Sequence, residues 1–324
     1  MASARYGRAR RGRRTASRTN EHQQGASGAA RALVTETTPC RKNIWTMLLL
    51  TISYPAIDPV ALYLGPLSVK WYGLSYMAGL LLGWVYAKRL LLEDRLWPSS
   101  KRPFHPEQAD DLLLFMTIGV LVGGRLGYVL FYEPRFFLHN PLHILVVWHG
   151  GMSFHGGLIG AIIAMVLFGR WIGTSPWSVM DLCAAAAPMG SFFGRLANFI
   201  NGELWGRPTT VPWAMVFPGA AGPVPRHPSQ LYEAGLEGLM LFAGLFWLVR
   251  SKRALQRPGL IAGAYLVGYG LARSFSELFR EPDYSHILTI APVTPGILYS
   301  LPMIIAGVLV IGAALRRATL APVS

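Results

Sequence analysis

The chain has only two cysteines, Cys40 and Cys183, in 324 residues. They are too few and too far apart for a disulfide framework, and no Cys/His group has the spacing of a zinc site. Any thiol chemistry would use a partner's cysteine rather than these. Charge is scarce too. Asp, Glu, Lys and Arg make up 14% of the chain, against about 25% in a soluble domain. Acidic residues are the scarcer, 16 against 30 basic ones. A chain this short of charge and 52% hydrophobic fits a soluble globular class poorly and is expected to reside in a membrane.

The net charge of +14 is unevenly placed, because residues 1–43 hold ten Lys and Arg against two Glu. Their Arg, Ala, Gly, Ser and Thr content predicts a disordered basic extension over residues 1–46. A solvated tail is preferred to a nucleic-acid arm, so no nucleic-acid partner is expected. A misassigned start is a simpler reading still, with translation beginning at Met47. Recovery of a peptide from residues 1–46 of the native protein would exclude it. A signal peptide is the rival, since Arg41 and Lys42 precede an apolar run, but no small-residue cleavage site follows.

Seven apolar runs come next, at about 69–91, 110–131, 152–171, 178–200, 229–249, 259–279 and 296–315. Each approaches the roughly 20 residues that span a bilayer. Residues 47–68 are interrupted by Pro55 and read as an interfacial entry segment. No internal repeat or strand-like alternation stands out. Backbone polar groups in lipid must be satisfied internally, so the expected fold is an all-α integral membrane bundle of seven transmembrane helices over residues 69–315. Twelve Lys and Arg fall in the loops on one side and four on the other, Arg135, Arg207, Arg226 and Arg280. The bias places the C-terminus and its tail, 316–324, in the cytoplasm and the N-terminus outside.

Ionisable residues in these runs are the informative ones, because a charge at the bilayer centre costs on the order of 3 kcal/mol even on lenient scales. They are Arg125, Arg195, Glu233, Glu237, Arg273 and Glu277, with His155 at the outer end of the third run. Arg273 and Glu277 share a face at i and i+4, as a structural pair or as part of a site. Glu233 and Glu237 have the same spacing, so each needs its own partner, such as an arginine from another helix. Arg125 lies among Gly123, Gly124 and Gly127, which let another backbone approach; it is either structural or a lipid-headgroup contact. Arg195 and Asn198 share a face in "GRLANFINGELWG" (194–206). The helix should end near Gly202, leaving Glu203 in a loop close by. His155 is open between a structural role and that of a base or proton shuttle.

These blocks resemble the bacterial prolipoprotein diacylglyceryl transferases. "GRLANFINGELWG" carries the resemblance with "KWYGLSY" (70–76), "GGRLGYVLFY" (123–132), "GGMSFHGG" (150–157), "RHPSQLYEA" (226–234) and "GYGLARSFSELFREPD" (268–283). They occur in family order over roughly residues 54–315. The resemblance implies an enzyme of the bacterial cytoplasmic (inner) membrane. Its partners would be phosphatidylglycerol, the lipid bilayer and a prolipoprotein signal peptide with a lipobox cysteine. The diacylglyceryl group would move to that cysteine as a thioether, releasing glycerol 1-phosphate in the first step of lipoprotein maturation. The family's essential histidine falls on His155. Its signature residues fall on Arg195, Asn198, Glu203 and Gly206, its late pair on Arg273 and Glu277, and its tyrosines on Tyr72 and Tyr269. Ala197 stands where a glycine is common, Ile297 where a glutamine is, and the loop 207–226 is short.

The implied chemistry is displacement at an alkyl carbon by a thiolate. A free cysteine has a pKa of about 8.5, so a proton acceptor is needed, with His155 the candidate. The leaving group gains a charge and calls for cations placed where that charge develops. Arg195 and Arg273 suit a bidentate phosphate clamp. Glu203 and Glu277 would orient the guanidinium groups, Asn198 and Tyr72 the headgroup, with Arg125, Tyr269 and Gly206 also on the substrate side. No metal or organic cofactor is required. A transporter would spread its charges along a continuous route, and an inert lipid-binding scaffold would need the arginines but not His155.

Overall fold

The computed structural model describes residues 52–55, 57–281 and 294–320. The basic extension over 1–46 and the first part of the entry segment lie outside these. Seven long helices dominate: α1 (Trp71–Leu91), α2 (Gln108–Phe131), α3 (Phe154–Trp171), α4 (Pro176–Ile200), α5 (Ser229–Lys252), α6 (Leu260–Ser276) and α7 (Pro295–Leu320). Of these α2, α3, α5 and α7 are long and apolar enough to cross a membrane. Large apolar side chains such as Leu80, Leu114, Ile159, Met240 and Leu309 are more than half exposed, as expected where lipid rather than water surrounds the bundle. The expectation of a mostly helical integral membrane protein therefore holds.

Three local features depart from the sequence reading. Residues 52–70 are not a plain entry segment. Strand β1 (Ile52–Ser53) pairs in parallel with β4 (Met215–Val216), and β2 (Val60–Leu64) pairs with β3 (Leu67–Lys70) in a hairpin. The segments were too short for alternation to register. The last helix runs to Leu320, so Arg316 and Arg317 belong to its final turns rather than to a tail. And α5 is not a uniform α-helix, because Ala234–Met240 is wound as a π-helix.

Two contacts set the bundle's form. Gly119, Gly123 and Gly127 of α2 face Gly156 and Gly160 of α3 so closely that a Cβ on Gly160 would overlap the Gly119 carbonyl. Small residues are what allow such backbone contact. Asp181 of α4 accepts from the amides of Gly259 and Ala262, both at 2.7 Å, and so caps the start of α6 from another helix. The best-buried apolar side chains, among them Leu90, Trp97, Phe168, Leu182, Leu255 and Ile261, gather at the end of the bundle where α1 finishes. Cys183 packs against this core.

Candidate functional site

The opposite end of the bundle is polar. There the last turns of α4, the first turns of α5, the end of α6 and the start of α1 meet. Arg195 of α4 places Nη1 2.8 Å from Glu233 and donates Nη2 and Nε to Glu237 at 3.0 and 3.2 Å. Arg273 of α6 reaches the other Glu233 oxygen at 3.3 Å and Glu277 at 2.7 Å. Arg280 adds a third cation to that Glu233 oxygen, also at 3.3 Å. Glu233 and Glu237 are fully buried, whereas the Arg195, Arg273 and Arg280 side chains keep 16–17% of their surface exposed. The carboxylates are thus closed off, while part of each arginine side chain stays open to the surface. Tyr269 lies within electrostatic reach of Arg195, Arg273, Glu233 and Glu237.

The π-helical stretch explains how both glutamates reach one arginine. A π-helix has more residues per turn than the 3.6 of an α-helix, so positions i and i+4 line up more nearly one above the other; such insertions occur often at functional sites. One Glu237 oxygen, Oε1, is buried with no hydrogen-bond partner among the described residues.

Beside the cations, α4 ends as the sequence predicts, with Asn201 as cap and Gly202 left-handed at φ +65°. The turn carries Glu203 back under the helix. Glu203 accepts from Asn198 Nδ2 at 2.8 Å and Asn201 Nδ2 at 3.5 Å. The Tyr72 hydroxyl shares a hydrogen bond with Tyr76 at 3.2 Å and is also in hydrogen-bonding reach of Asn198. Leu204 is held at φ +58°, a conformation a non-glycine residue keeps only when its surroundings enforce it. The enforcement comes from α5: Gln230 Nε2 donates to the Glu203 carbonyl at 2.6 Å and the Ser229 hydroxyl to that of Leu204 at 3.0 Å. Gly206 donates to the His227 carbonyl at 2.9 Å, and a Cβ there would lie 2.5 Å from the Phe279 carbonyl. Glycine is required because three chain segments converge on it.

The structure brings together Arg195, Arg273, Glu277, Tyr269, Asn198, Glu203 and Tyr72. Glu203 differs from expectation in its role: it holds asparagines, and Glu233 with Glu237 orients Arg195 instead. Arg125 is drawn elsewhere. Its three nitrogens donate to five backbone carbonyls, those of His143, Ile144, Val146, Gly150 and Gly151, at 2.6–3.1 Å. All its nitrogens are engaged in holding the loop before α3. His155 is exposed on the first turn of α3, with ring contacts to Phe154 and Tyr299 at 5.7 Å and no hydrogen bond to the arginine cluster among the described residues. Tyr299 lies one turn of α7 from Gly296, whose Cβ position would meet the Glu277 carboxyl at 2.5 Å. His155 and Glu277 thus each contact the first turn of α7, through Tyr299 and Gly296. The candidate list omitted Glu233, Glu237, Arg280 and Gln230. The two glutamates were visible as charges in search of partners; Arg280 and Gln230 read as loop and helix-start residues. Ala197 is fully buried, so its methyl has been accommodated.

A family model described as "Prolipoprotein diacylglyceryl transferase" matches residues 59–313. A protein of Rhodopseudomonas palustris named phosphatidylglycerol–prolipoprotein diacylglyceryl transferase is 53% identical over 274 residues, 84% of this chain and 94% of the relative. Proteins of the same name from Rhizobium leguminosarum and Methylocella silvestris are 51% identical over 275 residues and 52% over 266, covering 84% and 82% of this chain and 97% of each relative.

Proposed function

The chain belongs to the prolipoprotein diacylglyceryl transferase family, and we propose that its arginine cluster is where the donor lipid's phosphate is held. The enzyme transfers the diacylglyceryl group of phosphatidylglycerol to a prolipoprotein, the first step of bacterial lipoprotein maturation. The acceptor is the lipobox cysteine of the signal peptide. Its thiolate attacks the glyceryl carbon next to the phosphate oxygen. A C–S bond forms, the C–O bond breaks, and the electron pair leaves on the phosphate of glycerol 1-phosphate.

One observation supports this reading above the others: Arg195, Arg273 and Arg280 share the single carboxylate of Glu233. Three cations with exposed edges meet around an anion of about the right size, held by buried acids behind them. In the ground state a phosphodiester with one charge competes weakly against those glutamates. As the leaving group gains its second charge, the guanidinium groups turn from carboxylate to phosphate. The interaction then strengthens on the way to the transition state, which is what lowers a barrier. Tyr72 and Asn198 line the approach and orient the headgroup, and Tyr269 lies beside the guanidinium groups.

The thiol proton goes to His155, exposed at the edge of the site and with no hydrogen bond to its ring nitrogens among the described residues. A second reading has one observation in its favour: among the described residues Glu203 accepts from Asn198 and Asn201 and pairs with no guanidinium, which leaves it available to a thiol. Seven membrane crossings with the C-terminus cytoplasmic, supported by the Lys and Arg bias, put the site toward the outer leaflet of the inner membrane. Incubating a lipobox peptide with the purified protein and phosphatidylglycerol tests the assignment. A mass gain of one diacylglyceryl group is expected, and no gain with intact, folded protein would overturn it.

A further inference from the structure

A second feature lies at the other end of the bundle and takes no part in transfer. Helices α1 and α5 form its walls and α4 its floor. The groove has a volume of about 520 Å³, within the range of small-molecule sites. Its length is apolar, lined by Leu82 and Val85 of α1, Met189 and Phe192 of α4, and Leu239 and Phe246 of α5. Leu82, Val85, Leu239 and Phe246 are 36–56% exposed, so the groove is open sideways to the bilayer.

One end of the groove is cationic and polar. Arg89 and Arg250 lie there with Tyr86. Only 8% of Tyr86 is exposed, yet its hydroxyl has no hydrogen-bond partner among the described residues; neither has the buried Nε of Arg250. Arg89 is exposed and forms no ion pair among the described residues. Arg250 does pair with Glu93 and lies 5.5 Å over the Phe246 ring. The hydrogen bond from Arg250 holds the Glu93 carboxyl below its usual range, so Glu93 stays ionised; it pairs with Arg95 at 2.9 Å as well, so one anion serves two cations and Arg89 is left unbalanced. A net positive charge and two unused donors remain. Buried polar groups are rarely left unpaired, and two at the end of one apolar groove ask for an acceptor.

We propose that this groove holds one anionic phospholipid from the leaflet at this end of the bundle, its phosphate on Arg89, Arg250 and Tyr86 and an acyl chain along the groove. The lipid is resident rather than reacting. Tyr72 at the transfer site and Arg89 are 17 residues apart on α1, about 25 Å at the rise of an α-helix. A headgroup at Arg89 is beyond reach of Arg195. Bound there, the lipid ties α1 to α5 across the gap between them.

Native mass spectrometry of the full-length protein in detergent tests this, with phosphatidylserine and phosphatidylcholine of matched chains as probes. The wild type should retain one phosphatidylserine with about tenfold preference over phosphatidylcholine, as one or two charge-assisted hydrogen bonds imply. The double variant Tyr86→Phe/Arg89→Gln should lose that preference. Arg195→Ala should keep it, because its change is at the other end. Equal retention of both lipids by the wild type, or unchanged preference in the double variant, would overturn the proposal. So would loss in Arg195→Ala, which would place the lipid at the transfer site. Transfer to a cysteine peptide, measured in parallel, reports on the transfer reading alone.

Discussion

Arg195 uses all three of its nitrogens on two acids. Lysine has one nitrogen and no fixed fork. Arg195→Lys should therefore keep the charge but lower transfer by about a hundredfold or more, the scale of a lost transition-state donor. A thermal melt in detergent must accompany the assay, since disturbing a buried pair costs roughly 3–5 kcal/mol. Near-normal transfer would argue against phosphate gripping at this position. The proton acceptor has its own test. If His155 takes the thiol proton, His155→Asn should cost about a hundredfold or more, and the remaining rate should climb with pH as the thiol ionises unaided. An unchanged rate and profile would move the role to Glu203. Residues such as Arg195, Arg273 and Glu277 were legible in the sequence because a charge in an apolar run is conspicuous alone. Their wiring was not. That Glu233 serves three arginines, and that Glu203 instead serves Asn198 and Asn201, depends on how α4, α5 and α6 are set against each other, and no local pattern encodes that.

The helices themselves were readable to within a few residues, because helix-length apolar runs have few alternatives in lipid. The β2–β3 hairpin and the π-helical stretch of α5 were not. The first is too short to show a period, and the second is an adjustment of winding that composition does not reveal. The glycines of α2 and α3 lie between these cases: their small size was noted, and their partner was not knowable. Gly160→Ala places a methyl against the Gly119 carbonyl and should destabilise the protein by about 1–3 kcal/mol through overpacking. Gly244→Ala in α5 has nothing within 4 Å and should be neutral or stabilising by about 0.5–1 kcal/mol, the usual gain for removing a helical glycine. Thermal unfolding of both variants in one detergent checks the contrast. Equal melting points would mean that α2 and α3 do not pack backbone to backbone.

At the scale of the whole molecule the two ends of the bundle differ in kind. One holds the closed apolar core with Trp97 and Leu255, the other the open arginine cluster and the loop through Gly206. A diacylglyceryl donor can leave its chains in the bilayer throughout if the second end lies near a membrane surface, and the proposed orientation makes that the outer one. Exposed Ser100, in the loop after α1, and exposed Thr210, in the loop between α4 and α5, lie on opposite sides under this arrangement. In a background with Cys40 and Cys183 replaced by serine and alanine, a membrane-impermeant thiol reagent should label Thr210→Cys in intact spheroplasts. Ser100→Cys should be labelled only after the membrane is opened. The reverse pattern would turn the arginine cluster toward the cytoplasm, where a signal peptide threaded across the membrane does not present its cysteine. Labelling of both in intact spheroplasts would break the odd number of crossings between the two loops, and with it the count of seven.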